Sequence, residues 1–76
     1  MNIDIYNNLS IEQLSICKKL NIEINIDGYS KKDYENLCSK LVNCYQPINR
    51  LANLNVTLNE YCLLIEKIYE LEKLYT

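Results

Sequence analysis

The chain has 76 residues and a formal net charge of −2, from ten carboxylates against seven lysines and Arg50. A chain this short forms one domain at most, residues 1–76, and buries only roughly 60 to 65% of the surface that its unfolded form exposes. Hydrophobic residues make up 49% and charged residues 24%, the balance of a folded globular chain, which excludes a disordered tail or a fibre. The residue inventory excludes more. With no histidine, the commonest general base and the usual zinc nitrogen ligand are absent. A single glycine, Gly28, cannot build the glycine-rich phosphate loops of nucleotide-binding enzymes. No apolar run approaches the ~20 residues that span a bilayer, and no charged start leads into a short apolar stretch of the secretory kind. The expectation is a chain that stays in the cytoplasm, with no membrane partner, cofactor or small-molecule substrate.

In chain order, residues 2–6 alternate Ile3 and Ile5 with Asn2 and Asp4, a period of two that predicts a short extended segment. Asn7 and Asn8 break it, and Ser10 with Gln13 three positions later is a capping-box pattern that opens a helix over about residues 11–20. Ile11, Leu14, Cys17 and, beside them, Ile16 and Leu20 form its expected core face. Ile22, Ile24 and Ile26 then alternate with Glu23, Asn25 and Asp27, and Asp27-Gly28 closes a second extended segment with a turn.

Ser30 is placed to cap a second helix over residues 31–44, with Asp33 in its first turn and Tyr34, Leu37, Cys38, Leu41 and Tyr45 at helical spacing. Pro47 ends it. One further helical turn is expected within residues 47–54, carrying Ile48, Leu51 and Leu54 inward. Thr57 and Glu60 make a third capping pattern, opening the longest helix over residues 58–74. Along it Tyr61, Leu64, Ile68, Leu71 and Tyr75 form one stripe, widened by Leu58, Ile65 and Leu74. The fold class is therefore mainly all-α: three principal helices with short extended segments between them.

Cys17, Cys38, Cys44 and Cys62 stand 21, 6 and 18 positions apart, a spacing that matches no zinc finger or ribbon. Without a metal pattern, and in a reducing compartment, they read as small core hydrophobes. Four of the seven tyrosines, Tyr34, Tyr45, Tyr61 and Tyr75, lie on apolar stripes and leave Tyr29 and Tyr69 free to be exposed. The eleven asparagines are spread along the chain and carry no functional reading.

Two binding surfaces follow. The width of the last helix leaves Leu63, Ile65, Tyr69 and Leu74 as a second apolar seam, suited to a protein partner or another copy of the chain. The alternative surface rests on a resemblance. Residues Ile26-Asp27-Gly28-Tyr29-Ser30-Lys31, with Leu37 nine positions after the glycine, follow a first helix containing Leu14-Ser15-Ile16-Cys17-Lys18-Lys19-Leu20-Asn21-Ile22. The stretch 9–41 resembles the SAP-like and Rho N-terminal modules of helix, extended loop and helix. It is also similar to the SAP-like modules of large DNA viruses, in which a leucine-cysteine pair recurs as Leu37-Cys38 does here. The segment 23–27 is longer than the connection usual in that group. The resemblance implies DNA or RNA binding, with Lys31 and Lys32 meeting phosphate at the start of the second helix and Lys18, Lys19 and Lys40 widening the patch. Catalysis is not expected, because the cysteines have no histidine base to activate them.

Overall fold

The computed structural model describes residues 2–44 and 50–75. Four α-helices follow in order, α1 (Ile11–Lys19), α2 (Lys31–Asn43), α3 (Arg50–Asn53) and α4 (Leu58–Glu70), with 3₁₀ turns at Tyr6–Asn8 and Leu71–Tyr75. The expected Tyr45 and Ile48 positions and the Pro47 stop lie outside the described residues.

Each long helix starts where a side chain captures its free amides. Ser10 Oγ accepts from Gln13 N–H at 3.1 Å while Gln13 Oε1 accepts from Ser10 N–H at 3.0 Å. Thr57 and Glu60 do the same at the head of α4, at 3.1 and 2.9 Å. Ser30 Oγ takes the Asp33 amide at 3.2 Å. Such caps typically contribute ~1 kcal/mol each.

Two helix ends use asparagine in the left-handed region. Asn21 has φ 62° and Asn55 has φ 59°. This reversal sends Ile22 N–H back to Cys17 O and Asn21 N–H to Lys18 O, and likewise Val56 N–H to Leu51 O and Asn55 N–H to Ala52 O. Both are full Schellman closures, which asparagine tolerates better than other residues with a side chain.

Neither extended segment becomes a strand among the described residues. The first ends early, because Asp4 caps a 3₁₀ turn over Tyr6–Asn8: its carboxylate accepts from the Asn7 amide at 3.0 Å and from Asn7 Nδ2 at 2.7 Å. What survives is one antiparallel bridge, Ile3 to Tyr29. Gly28 makes that bridge possible, since its φ of +98° is one that side-chain-bearing residues rarely adopt, and a Cβ there would sit 3.3 Å from Ile3 O. The second segment keeps its period of two in burial only as far as Asn25, with Ile22 and Ile24 each 8% exposed; the chain turns at Ile26 and Asp27, which leaves Ile26 69% exposed.

All four helices contribute to the core, and α4 lies at its centre: Leu64 and Ile68 are fully buried, with Tyr61 and Leu71 beside them. From α2 come Tyr34, Leu37 and Leu41, and from α1 Ile16 and Cys17. The expected face of α1 is corrected at one position. Ile11 is 84% exposed, because at ~100° per residue it lies on the opposite side of the helix from the buried Ile16, Cys17 and Leu20. Leu58 and Leu74 are exposed too, so the buried stripe of the last helix is narrower than its sequence suggests. That helix is also tightened after Glu70 into the 3₁₀ turn Leu71–Tyr75.

Among the described residues no charged or polar residue is buried, and tyrosine hydroxyls supply the directional bonds instead. Tyr34 of α2 donates to Ile68 O of α4 at 2.8 Å, and Tyr61 of α4 donates to Leu41 O of α2 at 2.5 Å. Both acceptors lie in the last turn of their helices and also accept from the capping amide, Leu41 O from Cys44 N–H and Ile68 O from Leu71 N–H, so each tyrosine takes a second lone pair. The two bonds share one antiparallel register and clamp the helices at both ends. Tyr75 extends the clamp: its hydroxyl donates to Tyr29 O at 2.7 Å and its ring lies 5.3 Å from that of Tyr34.

Tyr34→Phe and Tyr61→Phe should each lower stability by about 1 kcal/mol in urea unfolding, as a lost buried hydrogen bond does, whereas Tyr69→Phe should be neutral. Stability should also fall at alkaline pH. Burial, and then the neighbouring Cys44, push the Cys17 thiol up to about 11, and burial raises Tyr34 as well. The unfolded chain therefore releases these protons first. For Cys17 the loss begins as pH passes the ordinary thiol value and is complete above about 11. Thermal melts should be flat near neutrality and drop steeply across that window.

Candidate functional site

The α2–α4 pair presents an external face as well as an internal one. At ~100° per residue, Leu58, Cys62, Ile65 and Tyr69 fall within about 60° of one another around α4. Leu58 is 55% and Tyr69 47% exposed, Cys62 is exposed, and Ile65 is half-buried against the core. On α2 the same wedge holds Lys31, Glu35, Cys38 and Val42, of which Val42 is 49% exposed. The antiparallel register set by the two tyrosine bonds brings Val42 level with the start of α4 and Lys31 level with its end. The two flanks meet at a crevice of about 260 Å³ lined by Lys31, Tyr34, Glu35, Cys38, Tyr69 and Glu72. An apolar stripe thus runs along the helix pair, with charge at one end.

Of the seam residues read from the sequence, Ile65 and Tyr69 belong to this stripe. Leu63 lies roughly 120° to 160° around α4 from them, and Leu74 sits in the 3₁₀ turn beyond the helix. Both are exposed, at 51% and 38%, on other parts of the surface. Sequence reasoning missed Leu58, Cys62 and Val42 as surface partners. The 4-3-4 spacing of Leu58, Cys62, Ile65 and Tyr69 was the available signal, hidden by the richer stripe of Tyr61, Leu64 and Ile68 beside it.

The lysines are placed separately. Lys31 and Lys32 open α2 and Lys40 lies in its last turn, roughly 180° around the helix from Lys31. Lys31 stands in the crevice with Glu35 and Glu72, whereas Lys40 lines a groove with Cys44 and Arg50 and another with Glu23 and Asp33. Lys18 and Lys19 end α1, where cations complement the helix dipole. Lys19 Nζ also donates to Asn55 O at 3.4 Å. Tyr29 is buried, not exposed as expected, because it bridges Ile3 and its hydroxyl accepts the Asn25 amide at 2.9 Å.

All four cysteines are free; Cys17 and Cys44 are buried, Cys38 is half-buried and Cys62 is exposed. The last departs from the core role expected of it, since it lies on the outer flank of α4. Burial raises the Cys38 thiol, with the carboxylates of Glu72 and Glu35 adding to the effect. Among the described residues, no group of three or more metal-ligating side chains converges, and no helix is long and apolar enough to cross a membrane.

Comparison with known protein families, curated proteins and solved structures finds no match to this chain.

The thiols give a direct test of these placements. A disulfide reagent should modify Cys62 first and Cys38 more slowly, with Cys17 and Cys44 reacting only on unfolding. Rapid reaction of Cys17 in the native protein would contradict the packing of α1 against the core.

Proposed function

We propose that this chain is a non-enzymatic protein-interaction module, which docks an amphipathic helix of a partner protein along the α2–α4 stripe. The observation that carries the reading is the exposed line of Leu58, Cys62 and Tyr69 on α4, with the exposed Val42 on the corresponding flank of α2. A chain of this size gains little from leaving such residues in water, and a two-helix groove accepts a third helix through contacts spaced three and four apart. From Leu58 to Tyr69 the stripe is about 16 Å long, three turns of a docked helix. Lys31, Glu35 and Glu72 at one end would fix its polarity. A cytoplasmic setting, in which four thiols remain reduced, is part of the same proposal.

The histidine-free composition supports a binding role over a catalytic one. Nucleic-acid binding through the lysines is the competing outcome. It has less support because Lys31 is flanked by Glu35 and Glu72, and Lys40 lies on the opposite face.

The test uses a fluorophore on Cys62 and a synthetic amphipathic helix with leucines on one face. Binding should shift the emission to the blue. Leu58→Lys and Tyr69→Lys should leave the circular dichroism melt unchanged but weaken binding about 10-fold or more, as loss of a central aromatic contact does. Unchanged binding by both variants would overturn the proposal. So would a mass gain with a short DNA and RNA pool at low salt that Lys31→Glu with Lys32→Glu removes.

A further inference from the structure

The α2–α4 stripe is apolar along its whole length, but its two ends differ in charge. Where α4 begins, Val42, Leu58 and Cys62 are flanked by the uncharged Ser39, Asn43 and Asn59. Lys40 and Glu60, the charged residues of those turns, lie roughly 170° around their helices from the midline of the stripe. At the other end the charges converge. Glu35 and Glu72 line the crevice with Lys31, Tyr34, Cys38 and Tyr69, and Glu66 stands about 60° around α4 from Tyr69, one turn before it. All three glutamates are exposed. Among the described residues the one ion pair is Lys73 with Glu70, at 3.1 Å, so Glu35, Glu66 and Glu72 make none. Lys31 is the single base of the crevice, and a lysine placed four positions before a glutamate is the weaker order for a helical pair. Glu72 and Glu35 both act through space on the Cys38 thiol, which they help to raise, so their fields overlap inside the crevice. Three carboxylates against one lysine leave this end negative, and Tyr69 adds the face of an exposed ring.

We propose that the docking surface selects a partner helix with a basic end: its apolar face covers Val42, Leu58 and Cys62, and an arginine at its end seats in the crevice between Glu35 and Glu72, against the Tyr69 ring. Such selection rests on the helix docking proposed above and adds the partner's charge to it. Arginine suits the crevice better than lysine, because its planar guanidinium bonds carboxylates in a fork, stacks on an aromatic face and is more weakly hydrated. The apolar contacts supply most of the affinity. The charges choose among partners, since a helix ending in glutamate would bring like charges together. The length of the stripe sets the spacing: over about 16 Å at ~1.5 Å per residue, the arginine stands about eleven positions from the apolar residue that covers Leu58.

The test is titration calorimetry of the unlabelled full chain with three synthetic amphipathic helices. All share one leucine face and carry arginine, glutamine or glutamate in both terminal turns. At low salt the arginine helix should bind about 3- to 10-fold more tightly than the glutamate helix, with the glutamine helix between them, and the differences should shrink as salt rises. Glu35→Lys with Glu72→Lys should reverse the order of the arginine and glutamate helices and leave the glutamine helix unchanged. Both positions are exposed, so the circular dichroism melt should be preserved. Equal affinity for the three helices overturns the charge selection and leaves the stripe as a docking surface. An order that survives the double substitution also overturns it, because the selectivity then lies outside the crevice. Failure of all three helices to bind overturns the docking itself.

Discussion

The reciprocal bonds between tyrosine hydroxyls and helix-end carbonyls hold the rest of the structure in register. An apolar interface between two helices fixes their separation but only loosely their sliding, since leucines and isoleucines a turn apart offer similar contacts. Tyr34 to Ile68 O and Tyr61 to Leu41 O remove that freedom. A slip of one turn would take both buried hydroxyls away from their acceptors, leaving two donors without partners inside the core. The complete absence of phenylalanine in a chain with seven tyrosines thus has a structural consequence: the rings that fill the core also carry its addressing. The stripe outside the helix pair depends on the same register, because Val42 and Leu58 come level only when the clamps are closed.

Helices were legible in the sequence because their boundary signals are local. Ser10 with Gln13, Ser30 and Thr57 with Glu60 act within one turn, and all three caps form as read. The single turn Arg50–Asn53 falls within the predicted stretch 47–54. Exposure was less legible, since it depends on where neighbouring helices lie. Ile11 lies on the opposite side of α1 from the buried Ile16, Cys17 and Leu20, and Leu58 lies about a quarter-turn around α4 from the buried Tyr61, Leu64 and Ile68. Strands were least legible. Alternation in residues 22–26 gives an inward face at Ile22 and Ile24, but the turn at Ile26 and Asp27 cuts it short, and strand status needs a partner that local sequence does not supply.

The candidate surface was legible in kind but not in membership. The last helix is rich in apolar residues all round, and the division between its inner and outer faces turns on angle. Ile65 and Tyr69 fall on the flank toward α2, whereas Leu63 points elsewhere on the same helix. The lysines illustrate the converse. They are close in sequence at Lys18 and Lys19 and at Lys31 and Lys32, but α1 ends where Lys18 and Lys19 stand and α2 begins where Lys31 and Lys32 do, and the extended segment between separates the pairs.

Tyr29 O accepts from Ile3 N–H at 3.0 Å and from the Tyr75 hydroxyl at 2.7 Å, so one carbonyl ties down both the beginning and the end of the described fold. Tension applied between residues 3 and 75 would bear first on those bonds. They would open singly, in an unzipping geometry, before the helix pair carried any shear. The fold would then loosen at its two extremities at small force while α2 and α4 stayed clamped, a mechanical hierarchy set by a single carbonyl oxygen.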